Sequence, residues 1–218
     1  NIEDCDFAFD PRSLRFDRTQ HTASGFGLVF NEWGDSFSTY NIEHIQQRVL
    51  PVRVVERLPT SLFRWATVDI SDHGSAGRIY PISDSETRVN HPEQAGHFSA
   101  AGGLGFLPEA SFGPRLGNSI LVGDVVGNLV HRDRLVPEGG IYRATRAPEE
   151  QEDEFLASRD LWFRPIGFEQ GPDGALYLVD MQRRVIEHPD YIPAKVRVDA
   201  TIREGEQRGR IYRIIARD

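Results

Sequence analysis

A single cysteine, Cys5, and a single methionine are all the sulfur in these 218 residues. One thiol excludes an internal disulfide and every Cys-x-x-Cys zinc or haem-attachment motif, so no haem is expected within the chain. No apolar run approaches the ~20 residues that cross a bilayer, so no membrane span is expected either. Positive charge is also short. Twenty-five Lys and Arg face 33 Asp and Glu, for a net charge of -8 and a sequence pI near 5.4. That balance argues against nucleic acid and anionic lipid as partners, which call for a basic face. Finally, 20 Gly and 13 Pro interrupt the chain at short intervals and leave no long segment of helical period. The pattern predicts an all-β chain of many short strands joined by turns.

What is present is repetition. "GFGLVFNEWGDSFSTYN" (residues 25–41), "GGLGFLPEASFGPRLGNSILVGD" (102–124) and "RPIGFEQGPDGALYLVD" (164–180) share one phrase. Each reads as a strand, a turn containing Gly, and a second strand ending on Asn or Asp. Between them "GRIYPI", "GGIYRA" and "GRIYRI" recur as outer strands around Tyr80, Tyr142 and Tyr212. In "ALYLVD" both alternating faces are apolar, as expected of an inner strand covered on both sides. Repeats at this scale indicate a solenoid or a propeller, and their length and irregularity favour a β-propeller over a parallel β-helix. Residues 58–75 and the acidic run 148–155, "PEEQEDEF", are expected to be insertions between strands. The opening "CDFAFDP" reads as the outermost strand of a preceding blade. Three to four four-stranded blades are therefore expected, the later part of a six-bladed ring that occupies residues 1–218.

"GNSILVGDVVGNLVHRDRL", "EFLASRDLWFRPIGFEQGPDGALYLVDMQRRVIEHP" and the closing "GRIYRI" resemble the propeller domain of the membrane-bound dehydrogenase family of planctomycete-type haem-binding proteins. "GFGLVFNEWGDSF" is similar to that family's Phe-Gly-x-x-Phe-Asp-x-Trp-Gly phrase, with Asn31 where aspartate is usual. The family's propeller in turn resembles the quinoprotein glucose/sorbosone dehydrogenases. The resemblance implies oxidation of a sugar or alcohol with pyrroloquinoline quinone and calcium as cofactors. It also implies a cytochrome as electron acceptor and a periplasmic or exported location.

Site residues follow from the same resemblance. Arg164 stands where the sugar dehydrogenases place an Arg-x-Arg pair on the quinone carboxylates, a task suited to a planar fork of donors. Trp162 takes the place of the first arginine, and Val126 takes the place of a lysine in the preceding strand. Arg164, Arg132 and Asn128 form the expected cofactor-binding set, with His131 as the general base that takes the hydroxyl proton. The other reading of Arg164 is a structural arginine bonded to loop carbonyls, and that of "HRD" a turn with satisfied side chains. Asp124 and Asp180 end inner strands and either hold calcium through oxygen ligands or, like Asn41, cap the strand ends by accepting backbone amides. His91 and His97 match no zinc spacing, the glycines of "GHFSAAGGLG" precede no helix pattern, and Ser99 and Ser158 lack a Gly-x-Ser-x-Gly setting. Trp33, Trp65 and Trp162 are sugar-stacking candidates or core residues. Two functions stand side by side: a propeller-type dehydrogenase, or a scaffold module that recognises polysaccharide or a protein partner.

Overall fold

The computed structural model describes residues 5–21, 25–57, 59, 66–84, 94–187 and 200–216. These residues form an all-β, propeller-like set of antiparallel sheets. The α-helices are short: α1 (Val52–Val55) and α2 (Glu109–Leu116). Among the described residues no helix is long and apolar enough to cross a membrane.

The three repeated phrases are three pairs of neighbouring antiparallel strands. The first gives β3 (Leu28–Phe30) and β4 (Ser36–Tyr40), which continue into β5 (Glu43–Arg48) and β6 (Thr67–Asp69) as one four-stranded sheet. The second gives β7 (Ala101–Leu107) and β8 (Ser119–Asp124). These lead on to β9 (Leu129–Glu138) and β10 (Ile141–Arg146), and β11 (Leu156–Ala157) adds to β9. The third gives β12 (Pro165–Gln170) and β13 (Leu176–Asp180), joined to β14 (Arg210–Ile214). Ahead of these, β1 (Cys5–Phe9) and β2 (Phe16–His21) form a separate hairpin.

Local chemistry explains the turns. Gly171-Pro172-Asp173-Gly174 closes β12 on β13, with the Gly171 amide donating to Ala175 O and Gly174 at φ 76°. Proline presets its own φ there, and only glycine takes the left-handed position without strain. The longer turn between β7 and β8 is not a loop but α2, interrupted at Gly113 and Pro114.

Two expectations are corrected. "GRIYPI" forms no strand. Arg78 makes an isolated bridge with His97, and the Tyr80 amide donates to the Glu154 carboxylate instead of to a neighbouring strand. The fourth strand of the first sheet is β6, which lies inside the stretch 58–75 that reads as an insertion.

The sheets stack through both faces of the central one. Along β8, Ile120 and Val122 point into a cluster with Phe37, Ile45 and Ile70 of the first sheet. Leu121, one residue out of phase, packs with Phe168, Leu176 and Leu178 of the third. A strand with period-two side chains buried on both sides is the physical content of the stacked array. Between β7 and β12 the contact is backbone-close. An alanine Cβ at position 103 would lie 2.5 Å from the Ile166 carbonyl carbon, and one at 105 would lie 2.6 Å from Phe168 Cβ. Gly103→Ala is therefore expected to push the two sheets apart and cost about 1–3 kcal/mol, as overpacked interiors do. Urea unfolding reads this as a lower midpoint at unchanged m-value.

Candidate metal centre

Strand β9 runs "LVHRD", so His131 and Asp133 project from one face and Arg132 from the other. The His131 face looks toward the first sheet, where His44 rises from β5, and the turn 71–77 after β6 brings His73 alongside. His44, His73, His131 and Asp133 each offer a ligand atom, and these atoms all lie within 4.8 Å of one another. Phe98 floors the group, its ring stacked on His44 at a centroid distance of 4.2 Å.

Three imidazoles converge on one carboxylate, with a long His44 Nε2–Asp133 Oδ2 hydrogen bond of 3.4 Å among them. The Nε2 atoms of His44, His73 and His131 stand 3.4, 3.3 and 3.1 Å from the Asp133 carboxylate oxygens. His73 Nε2, His131 Nε2 and Asp133 Oδ1 are nonetheless buried without a hydrogen-bond partner. A tetrahedral ion with bonds near 2.1 Å has ligand-to-ligand edges of roughly 3.4 Å; His44 and His73 stand at about that distance from Asp133 Oδ2, while His131 faces the other oxygen, Oδ1. Two of the three opposite ring nitrogens are held as metal-bound imidazoles usually are, whereas His44 Nδ1 is buried without a hydrogen-bond partner. His131 Nδ1 pairs with Glu154 Oε2 at 2.8 Å, and His73 Nδ1 with Asp72 Oδ1 at 2.6 Å. A carboxylate on the far nitrogen fixes the tautomer and turns the Nε2 lone pair inward. Glu154 is anchored in turn by Arg146 Nη2 at 3.0 Å and by the Tyr80 amide.

Electrostatically the cluster sets buried imidazoles against the Asp133 and Glu154 carboxylates. Burial drives His44 down to about 4 against the opposing pull of Asp133. Burial works the same way on His131, but Asp133 and Glu154 outweigh it and hold that imidazole up to about 9. Burial alone would raise Asp133, yet the three histidines facing it bring it well below the ordinary carboxylate range. Glu154 is lowered, against its burial, by His131 and Arg146.

The family comparison bears on the whole chain: a description reading "Domain of unknown function (DUF7133)" matches residues 1–218. The chain belongs to the DUF7133 family. Two solved structures are similar to it. One, described as "Crystal structure of glucose dehydrogenase", is 16% identical with a TM-score of 0.42 over 91% of this chain and 46% of that one. The other, described as "glucose dehydrogenase", is 17% identical with a TM-score of 0.36 over 76% of this chain and 39% of that one. The DUF7133 chain thus spans less than half the length of either structure. Among curated proteins nothing matches.

The six side chains expected from the sequence to serve the DUF7133 site are all 3% exposed or less. Arg164 is engaged by loop carbonyls: Nε donates to Arg183 O, Nη1 to Val125 O and Nη2 to Arg184 O. Burial draws its guanidinium down to about 10, with Asp124, Asp180 and Asp160 opposing. Arg132 grips Glu150 through Nε and Nη2 and reaches Glu149, Arg115 O and Ser119 Oγ. Asn128 donates its amide to Leu161 O and Phe163 O. Asp124 accepts the amides of Ser99, Ala100, Val126 and Gly127, while Asp180 accepts those of Arg164 and Gln182 and the Arg210 guanidinium. Quinone carboxylates therefore meet no available fork, and calcium meets carboxylates already filled by donors. The residues present do not fit either cofactor at these positions. His131, expected as a base poised near neutrality, is instead fully buried between two carboxylates. Trp33 is largely exposed, and Trp162 is half-buried with Arg208 over its ring. His91 and Trp65 lie outside the described residues.

His44 and His73 carry no sequence motif with His131. The legible part of the signal was the pair His131-x-Asp133 on a strand, which places an imidazole and a carboxylate on one face.

Proposed function

We propose that this chain is a metal-holding β module in which His44, His73, His131 and Asp133 bind one divalent ion of the zinc class. The observation that carries the reading is the convergence of four buried ligand atoms, three of them without a hydrogen-bond partner, on one point between two sheets. Three imidazoles and one carboxylate suit zinc or another borderline ion. They do not suit calcium or magnesium, which take mostly oxygen ligands. Four protein ligands close the sphere, the arrangement of a structural site. The ion would tie β5 and the turn 71–77 to β9, and so one sheet to the next.

Elemental analysis of the purified protein is the direct test: one equivalent of a transition metal is expected, and none would end the reading. Stability supplies a second readout. An ion that binds only the folded chain stabilises it by about 2.7 kcal/mol at a free concentration one hundred times its Kd. Exhaustive chelation is expected to lower the melting temperature, and zinc in excess of chelator to restore it. Melting curves that ignore both treatments would leave the four residues as a metal-free imidazolium–carboxylate cluster.

The sequence phrases shared with the propeller-type dehydrogenases support a wider setting for this module. In that setting it forms part of an exported protein that oxidises a sugar or alcohol and hands electrons to a cytochrome. The closed state of Arg164, Arg132 and Asn128 favours the scaffold alternative, in which the propeller binds polysaccharide or a partner protein without a quinone. Titration with pyrroloquinoline quinone separates the two: a saturable absorbance change supports the dehydrogenase, and its absence at excess quinone supports the scaffold.

A further inference from the structure

The four ligands are not equivalent. His44, His131 and Asp133 have side chains at 0% exposure and sit on β5 and β9, in the interiors of two sheets. His73 differs on every count. Its side chain is 19% exposed, and its carboxylate partner Asp72 is 39% exposed. It belongs to a turn, not a strand, and left-handed backbone follows it at Gly74 and Ala76, with φ of 68° and 50°. The turn is pinned at both ends. The Asp72 amide donates to Ala144 O, and the Ala76 amide donates to Ile42 O. Asp72 is thus held by its backbone while its carboxylate reaches solvent, and His73 follows it, its amide on Ser71 Oγ and its side chain partly exposed.

We infer that His73 is the exchange ligand of this centre: the ion enters and leaves as the His73 side chain swings off its pinned turn, while His44, His131 and Asp133 hold their places. The inference rests on the metal reading above. Its physical basis is that a buried ligand on a strand leaves only if the sheet deforms, whereas a partly exposed one in a turn moves by rotating its side-chain torsions toward solvent. Asp72 acts through His73 as a positioning residue. Its bond to Nδ1 keeps the ring turned inward, and without it the ring spends more time away from the ion. With His73 withdrawn, the remaining three ligands form a cup with one open position, the arrangement that admits a small external donor.

The test measures metal release from loaded protein into a chromophoric chelator by stopped flow, alongside stoichiometry at equilibrium. His73→Ala is expected to keep one metal per chain but to release it at least ~10-fold faster, and Asp72→Asn to speed release by roughly 10-fold, the scale of second-sphere losses. Millimolar imidazole is expected to slow release again in His73→Ala and to leave the unsubstituted protein unaffected, a rescue that a merely structural role would not produce. His131→Ala and Asp133→Ala are expected to hold no stoichiometric metal. If His73→Ala releases metal at the original rate, or loses it as completely as His131→Ala does, the exchange role of His73 is wrong while the metal centre stands. An unsubstituted protein that takes up no zinc, cobalt or copper overturns the metal centre and this inference with it.

Discussion

His131→Ala is expected to remove the metal and to lower the melting temperature on the order of 10 °C, the largest effect of any single substitution at the centre. The imidazole lies between two carboxylates, 3.1 Å from Asp133 Oδ1 and 2.8 Å from Glu154 Oε2, and all three side chains are at 0% exposure. Deleting it leaves two buried anions with less positive charge facing them. Glu154 keeps Arg146, but Asp133 keeps only His44 and His73, and burial holds His44 uncharged. Breaking a buried pair by removing one partner costs about 3–5 kcal/mol, because the orphaned charge remains desolvated. Chelated samples separate the two contributions. If the metal accounts for most of the stability, the unsubstituted protein after chelation should melt close to His131→Ala. If the charge balance dominates, His131→Ala should melt well below it. A variant that melts with the unsubstituted protein and still carries its ion would remove His131 from the centre altogether.

The strands were readable from sequence because burial imposes a period. Ile120, Leu121 and Val122 announce a strand covered on both faces, and Pro172-Asp173-Gly174 announces the turn that returns β12 as β13. The centre was half readable. His131 and Asp133 share a strand, so their common face follows from alternation. His44 and His73 join them only through the stacking of one sheet on another, and no spacing along the chain encodes that. Residues 58–75 lack the repeated phrase and so read as an insertion, yet that stretch carries β6 and leads the chain through His73. The run "PEEQEDEF" reads as an insertion between strands and does lie between β10 and β11, but the sequence does not show where its carboxylates turn. Arg132 draws in Glu149 and Glu150, while Arg146 and His131 draw in Glu154. Glu150 and Glu154 turn inward to these cations while Glu149 stays 42% exposed, and a linear sequence does not show where the cations point. In "GRIYPI" the Tyr80 amide bonds the Glu154 carboxylate rather than a neighbouring strand, a pairing that the sequence phrase does not reveal.

Arg164→Met should destabilise the protein by several kcal/mol and leave its response to quinone unchanged. The methionine keeps the apolar stem but offers no donor, so the carbonyls of Val125, Arg183 and Arg184 lose their partner at once. A hydrogen bond from a charged donor is worth about 1.5–3 kcal/mol, and the three lost here are part-buried. Val125 lies just beyond β8 and Arg183–Arg184 just beyond β13, so the guanidinium bridges the ends of two inner strands in neighbouring sheets. Arg164→Lys should recover only part of the loss, since one ammonium on a flexible stem cannot reach three carbonyls that a planar fork spans. Urea unfolding of the three proteins gives the order directly, with Arg164→Lys between the other two. The opposite pattern is equally clear: a saturable quinone response that vanishes in Arg164→Met while the unfolding midpoint stays put would make the arginine a clamp. The geometry favours the tie, because a fork already holding three carbonyls in a dry crevice must break all three bonds before it can meet a ligand's carboxylate.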